Sequence, residues 1–108
     1  MRIPDLSHLQ FLVLSGLHGG ESSGREIRDE LKRYRVRQSG PAFYQMMARL
    51  EKGGLVKGWY TQDVVDGQII KERRYRIAAA GERAWQDSRK FYATAIDEVE
   101  GGAGLAHA

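Results

Sequence analysis

The chain contains no cysteine, which excludes disulfide bonds, thiolate catalysis and cysteine-ligated zinc or iron–sulfur sites. It has only two prolines, and its longest strongly apolar stretch, Phe11 to Leu14, is far too short to cross a bilayer. No basic segment followed by an apolar run and a cleavage site opens the sequence, so we expect a cytoplasmic protein. With 108 residues, of which 42% are hydrophobic, the chain can form one packed domain.

Residues capable of catalysis or metal binding do not occur at productive spacings. No glycine-rich phosphate loop precedes a Lys-Ser or Lys-Thr pair, and the Ser22-Ser23-Gly24 segment is more typical of a helix cap than of a nucleophile. No second histidine lies three or four residues from His8, His18 or His107, and no cluster of carboxylates accompanies them. We therefore expect no enzyme activity, no catalytic residues, no metal and no cofactor.

Positive charge is concentrated in the middle of the chain. Residues 25–76 contain thirteen of the seventeen basic residues but only seven of the fourteen acidic ones. The basic residues form two clusters: Lys32, Arg33, Arg35 and Arg37, then Lys71, Arg73, Arg74 and Arg76. Clustered positive charge is typical of a surface that binds a polyanion. Helix ends and exposed strand faces also collect Lys and Arg, so charge alone leaves both interpretations open.

Apolar spacing and capping residues predict three helices, a hairpin and a long final helix. Ser23 and Glu26 have the spacing of a capping box, and Ser39 precedes a helix with proline in its first turn. Asp66-Gly67 is a hairpin turn signal. The predicted helices are 6–17, 23–33, 40–52 and 79–100, and the predicted strands are 55–61 and 68–77.

This order of elements is that of a winged helix-turn-helix. We predict a mainly α (α+β) fold of three helices and a two-stranded wing, followed by a long C-terminal dimerisation helix. The predicted divisions are a DNA-binding domain at 5–77, the dimerisation helix at 78–100 and a flexible tail at 101–108.

The third helix begins with small and polar residues that would let its end enter a DNA major groove about 12 Å wide. Gln45 is the best candidate for reading a base, the alternative being an exposed polar residue without a contact. Arg49 either contacts a phosphate or pairs with a carboxylate, and Tyr44 either packs against the wing or binds a phosphate. The basic wing would contact the DNA backbone. The candidate DNA-binding residues are Ser23, Arg25, Ser39, Gly40, Pro41, Ala42, Tyr44, Gln45, Arg49, Lys71, Arg73 and Arg74.

Two segments resemble the recognition helix of PadR-type transcriptional regulators, namely SGPAFY at 39–44 and RLEKGGLV at 49–56. Asp66-Gly67, RRYRI at 73–77 and Gly81 resemble that family's wing and the start of its last helix. The resemblance implies a sequence-specific DNA-binding regulator, namely a homodimeric repressor that binds a palindromic double-stranded operator and is released by a small molecule or another signal. The chain is similar to short forms without an extra C-terminal helical domain.

The last helix carries a wide apolar stripe. Three helices and a hairpin already enclose the core of the domain, so little of that core remains for the stripe to cover. This favours packing of the stripe against a second copy of the chain. The alternative is that the stripe folds back onto the first helix. The candidate dimerisation residues are Trp85, Ser88, Phe91, Tyr92, Ala95, Ile96 and Val99. The resemblance also implies a possible aromatic effector between Trp85 and Tyr92. The alternative function is a winged-helix module that binds a protein partner without specific DNA binding.

Overall fold

The protein is described by a computed structural model that covers residues 3–106, with side chains over 3–101. His107, one of the three histidines considered above, lies outside the described residues. The elements in chain order are α1 (His8–Leu17), β1 (Glu21–Ser23), α2 (Gly24–Arg33), α3 (Gly40–Lys52), β2 (Val56–Val65), β3 (Gln68–Ile77) and α4 (Ala79–Ala106). No helix within 3–106 has the length and apolarity needed to span a membrane.

Side-chain caps begin the first three helices. Ser7 caps α1, so this helix begins two residues later than predicted. At α2, the Ser23 Oγ accepts from the Glu26 N–H and the Glu26 carboxylate accepts from the Ser23 N–H, each at 3.1 Å. Ser39 caps α3 as predicted. These caps satisfy backbone N–H groups that have no partner inside the helix.

The sheet has three strands, whereas the sequence predicted only the two strands of the hairpin. The strand order is β1-β3-β2, and all pairs are antiparallel. The additional strand, β1, is three residues long and pairs Ser23 with Arg74. Such a short polar segment has no strand signature of its own and is defined by its pairing. Asp66 and Gly67 both have positive φ, as a two-residue hairpin turn with the twist of its strands requires.

The core lies between the helices and the base of the sheet. The inward face of α3 is the predicted one, and its residues are Phe43, Met46, Met47 and Leu50. They join Val13, Leu14, Leu17, Ile27, Leu31, Val56 and Tyr75 in one buried cluster. Because α3 contributes a full apolar face to this cluster, its opposite face is directed outward.

The start of helix α4 lies close to the backbone of Leu55. The Ala78 N–H donates to the Leu55 carbonyl oxygen at 2.9 Å, and a Cβ at Gly81 would overlap that oxygen. The helix continues to Ala106, beyond the end predicted at residue 100. Glycine lowers helix propensity but keeps its backbone donor, so Gly101 and Gly102 do not stop the helix as a proline would. The predicted flexible tail is therefore helical over 101–106.

Candidate nucleic-acid interface

The N-terminal tip of α3 is exposed and carries only small side chains. The Ser39 Oγ accepts from the Ala42 N–H at 3.2 Å and thereby caps the helix. Pro41 and Ala42 are exposed, and Gly40 is partly exposed. An exposed helix N-terminus favours anions because its free N–H groups and the helix dipole point outward. The tip is thus narrow, and its own subunit does not bury it.

The outward face of α3 carries Gln45, Ala48 and Arg49, all of which are exposed. Gln45 and Arg49 have four-residue spacing and lie one turn apart on the same side of the helix. Neither side chain has a hydrogen bond or an ion pair with the described residues. Their polar groups are free for an external partner.

Tyr44 combines packing with exposure. Its ring meets that of Phe43 edge-on, with 5.0 Å between centroids, while 41% of the residue remains exposed. Its hydroxyl lies over the start of α2, where a Cβ on Gly24 would be only 2.7 Å from it. Gly24 therefore provides the space that Tyr44 occupies. Tyr44 thus contacts residues of α2 and α3 and also lines the groove that faces the wing.

An open groove of about 530 Å³ separates α3 from the wing, the hairpin of β2 and β3. Its lining combines aromatic rings with charges of both signs: Tyr44, Ala48, Glu51, Tyr60, Lys71, Arg73 and Tyr75. Lys71 is exposed and has no ion pair in the described part of the chain. The groove therefore has a cation on its wing side and the outward face of α3 opposite.

Arg73 connects the wing to the last turn of α3. Its Nη2 donates to both carboxylate oxygens of Glu51, at 2.7 and 2.8 Å, and its guanidinium lies 4.7 Å from the Tyr60 ring centroid. Glu51 also accepts from the Gly58 N–H at 3.2 Å. Burial lowers the pKa of Arg73, but hydrogen bonds to Glu51 and Tyr75 outweigh it and raise the pKa above its ordinary value. Arg73 thus joins the wing to α3, and its predicted contact with DNA stays a prediction.

Arg74 lies on the other face of β3 and is surrounded by carboxylates. Glu21, Glu26 and Glu72 approach its guanidinium to 3.3, 3.5 and 3.8 Å. Hydrogen bonds from the Ser23 backbone and hydroxyl lower the pKa of Glu26, and Arg74 lowers it further. The positive charge of Arg74 is therefore paired with carboxylates of its own subunit, and its predicted contact with DNA stays a prediction.

Ser23 is not available to DNA. It is 1% exposed, and its hydroxyl is used in the cap of α2, so its prediction as a DNA-binding residue is wrong. A capping side chain points into the helix that it begins, and here β1 and the sheet cover it as well. Arg25, in the first turn of α2, is exposed and has no ion pair within the described chain.

No protein-family model and no curated protein sequence matches the chain. A PadR family transcription regulator from Clostridium difficile superposes with a TM-score of 0.73 at 18% identity, covering 89% of this chain and 97% of that one. A PadR-like regulator from Bacillus cereus gives 0.67 at 19% identity, covering 86% and 88%. This chain has the PadR winged-helix fold. Bacillus subtilis PadR, solved in complex with operator DNA, gives 0.60 at 21% identity over 75% of this chain and 46% of that one.

Within this PadR fold, the first half of α4 packs on α1 of the same chain, as the alternative interpretation of the stripe anticipated. Trp85 donates from Nε1 to the Ser15 Oγ at 2.8 Å and stacks on His18 at 4.1 Å. Tyr92 packs against Phe11, with centroids 6.2 Å apart. Ser88 is fully buried, so its prediction as a dimerisation residue is wrong.

The second half of α4 leaves apolar side chains in solvent. Ile96 is 56% exposed and Val99 is 71% exposed. Ala95 and Phe91 are partly exposed. These residues follow the part of the helix that packs on α1, so their own subunit covers them incompletely.

Sequence reasoning missed the acidic residues that organise the wing of this PadR fold. The sequence predicts Glu51 only as part of the RLEKGGLV motif. It predicts no contact for Glu21, Gly58 or Tyr60. The only available signal was the position of Glu51 in the last turn of a helix that leads into a basic hairpin. The contact between Glu51 and Arg73 spans 22 residues of sequence, so periodicity does not reveal it.

Proposed function

We propose that the chain is a homodimeric, sequence-specific DNA-binding transcriptional regulator that represses by occupying a palindromic operator. The observation that carries this proposal is the exposed, small-residue tip of α3, with free polar groups behind it and a wing beside it. The PadR winged-helix fold and the operator complex of Bacillus subtilis PadR support it by analogy. A protein bound to an operator that overlaps the promoter would repress because it would exclude the polymerase.

The proposed roles follow the accessibility of each residue. The tip of α3, from Ser39 to Ala42, enters the major groove, and Gln45 reads a base edge through its amide, which can pair bidentately with adenine. Arg49, Arg25 and Lys71 contact phosphates and contribute affinity without sequence information.

A binding measurement with two variants tests these roles. Fluorescence anisotropy would follow titration of a labelled duplex at several KCl concentrations. We expect Lys71→Ala to weaken binding to every sequence similarly and to make the salt dependence shallower by about one unit of the log–log slope. Gln45→Ala should relax the preference at one base pair, by about 1–3 kcal/mol.

The same titration separates the two candidate functions. Phosphate neutralisation requires that affinity fall as salt rises. If wild-type affinity for duplex DNA is negligible or independent of salt, the alternative of a protein-binding module replaces DNA binding.

The homodimer is proposed from the exposed apolar residues Ile96 and Val99. A helix of 28 residues is about 42 Å long, and only its first half packs on α1. We expect Ile96→Glu to shift the protein from dimer to monomer in sedimentation velocity, because a carboxylate would be buried without a partner. Glu98→Gln, on the same exposed part of α4, is the matched control. A wild-type monomer at all accessible concentrations would contradict this part of the proposal.

An aromatic effector is not included in the proposed function. The rings of Trp85 and Tyr92 both have partners on α1, so a planar ligand between them would first have to displace His18 or Phe11. Packing explains both aromatic residues.

A further inference from the structure

The first basic cluster of the sequence is not used by the interface described above. Its members lie at the end of α2 and in the connection to α3. Arg33 is paired with Glu30 at 2.9 Å, and Lys32 with Asp29 at 3.5 Å. Arg35 and Arg37 are exposed and have no ion pair within residues 3–106. The two connection arginines therefore carry uncompensated charge.

The clefts around these arginines contain no carboxylate. One, of about 540 Å³, is lined by Lys32, Arg35, Val36 and Arg37. A smaller one, of about 120 Å³, adds Arg28, Leu31 and Gln38. By contrast, Arg74 on the wing faces three carboxylates, and Arg73 is paired with the carboxylate of Glu51. The corner between α2 and α3 is thus a positive surface with an apolar floor.

The backbone holds Arg35 in a conformation that glycine normally occupies. Its φ is 60°, in the left-handed region. The Arg35 N–H donates to the Lys32 carbonyl at 2.9 Å and the Val36 N–H donates to the Leu31 carbonyl at 3.1 Å, the pattern of a Schellman motif. Glycine or asparagine is usual at this position, and arginine is disfavoured there. Residues held in sparsely populated backbone conformations cluster at functional positions.

The connection is also rigid. Val36 packs on the core, so Arg35 and Arg37 flank an anchored residue. The Arg28 Nη2 donates to the Gln38 carbonyl at 3.4 Å. The next residue is Ser39, the cap of α3. Arg35 and Arg37 thus lie within four residues of the exposed N-terminal tip of α3. The contact between Glu51 and Arg73 joins the opposite end of α3 to the wing.

We propose that Arg35 and Arg37 bind phosphates of the DNA strand that borders the major groove on the tip side of α3. This inference rests on the proposed DNA-binding function. The groove is about 12 Å wide and α3 is about 20 Å long, so a helix that inserts its tip brings the preceding connection against one backbone. The wing contacts DNA on the other side of α3, and Arg35 and Arg37 in the corner provide a second set of phosphate contacts.

The test uses the double variant Arg35→Gly with Arg37→Ala and a random 24-base-pair duplex, titrated between 0.05 and 0.3 M KCl, a range chosen on the order of physiological salt. Two phosphate contacts predict a log–log salt slope shallower by about 1.8 and a Kd raised at least about tenfold at 0.1 M KCl. Arg83→Ala with Lys90→Ala, which removes two exposed cations from α4, should leave the slope unchanged. Arg35→Lys with Arg37→Lys, which keeps both positive charges, should show the salt slope of the wild type.

A second measurement distinguishes charge from structure. Arg35→Gly relieves the left-handed conformation, so its Tm should rise by about 4 °C while its DNA affinity falls. A role confined to folding would not move stability and affinity in opposite directions. If the wild type binds DNA with a salt-dependent Kd but the double variant keeps the same slope and Kd, the corner inference is wrong and the proposed function stands. If the wild type itself shows no salt-dependent binding, both fail.

Discussion

The contact between Glu51 and Arg73 should be the strongest single link between the recognition helix and the wing. The Glu51 side chain is 33% exposed and that of Arg73 is 23% exposed, so the pair is partly shielded from water. Glu51 accepts from the Arg73 Nη2 at 2.7 Å and from the Gly58 N–H at 3.2 Å. Hydrogen bonds to a charged group contribute about 1.5–3 kcal/mol, against about 0.5–1.5 kcal/mol for neutral ones.

Replacing Glu51 by Gln keeps the size of the side chain but removes its charge and leaves Arg73 without a counter-ion. We expect the free energy of unfolding to fall by about 2 kcal/mol, which corresponds to a loss of about 10 °C in Tm for a domain of this size. Urea denaturation and thermal unfolding followed by circular dichroism would measure both quantities. Glu98→Gln, an exposed change on α4 with the same loss of charge, should stay within about 0.5 kcal/mol of wild type.

A double-mutant cycle isolates the pair itself. Arg73→Gln alone should also destabilise the protein, and the double variant should cost less than the sum, with a coupling energy of about 1–2 kcal/mol. A coupling energy near zero, or equal unfolding midpoints for the Glu51 and Glu98 variants, would refute the argument that this pair holds the wing to α3.

Three further predictions concern other parts of the fold. The pKa of Glu26 is lowered below its ordinary value of 4.5. The ionised carboxylate therefore stabilises the fold fully above pH 4.5, and this stabilisation is lost as the pH falls through the lowered pKa. The Tm difference between wild type and Glu26→Gln should shrink from about pH 7 to about pH 3. An unchanged difference would mean that the carboxylate does not act through its charge. Gly81→Ala should destabilise the protein by about 3 kcal/mol or more, because the added Cβ would overlap the Leu55 carbonyl. Gly101→Ala, with open space around it, should raise stability slightly. Equal urea midpoints for the two variants would contradict this. Ser88→Ala should be neutral or stabilising by up to about 1 kcal/mol in urea denaturation, because the buried hydroxyl has no hydrogen-bond partner within residues 3–106; a loss above about 2 kcal/mol would show that it is bonded.

Much of the candidate interface could be predicted from the sequence because its main element is local. Ser39, the proline after Gly40, and the apolar spacing from Phe43 to Leu50 define both the start of α3 and the face that it buries. Once the buried face is known, the outward position of Gln45 follows from helical geometry. The prediction failed where accessibility depends on a neighbour, as at Ser23, whose cap was correctly predicted but whose burial under the sheet was not.

The sequence by itself determined the helices, their caps, the hairpin turn and the apolar faces, because each depends on residues within about one or two helical turns of one another. Only the tertiary structure decided which charges remain available. Arg73 and Arg74 are compensated by carboxylates brought from α3, β1 and α2, while Arg35 and Arg37 are not. The strength of an electrostatic interaction depends on the distance between two groups in space. Folding brings together residues that are far apart in the sequence, such as Trp85 and Ser15, which are hydrogen-bonded although 70 residues separate them.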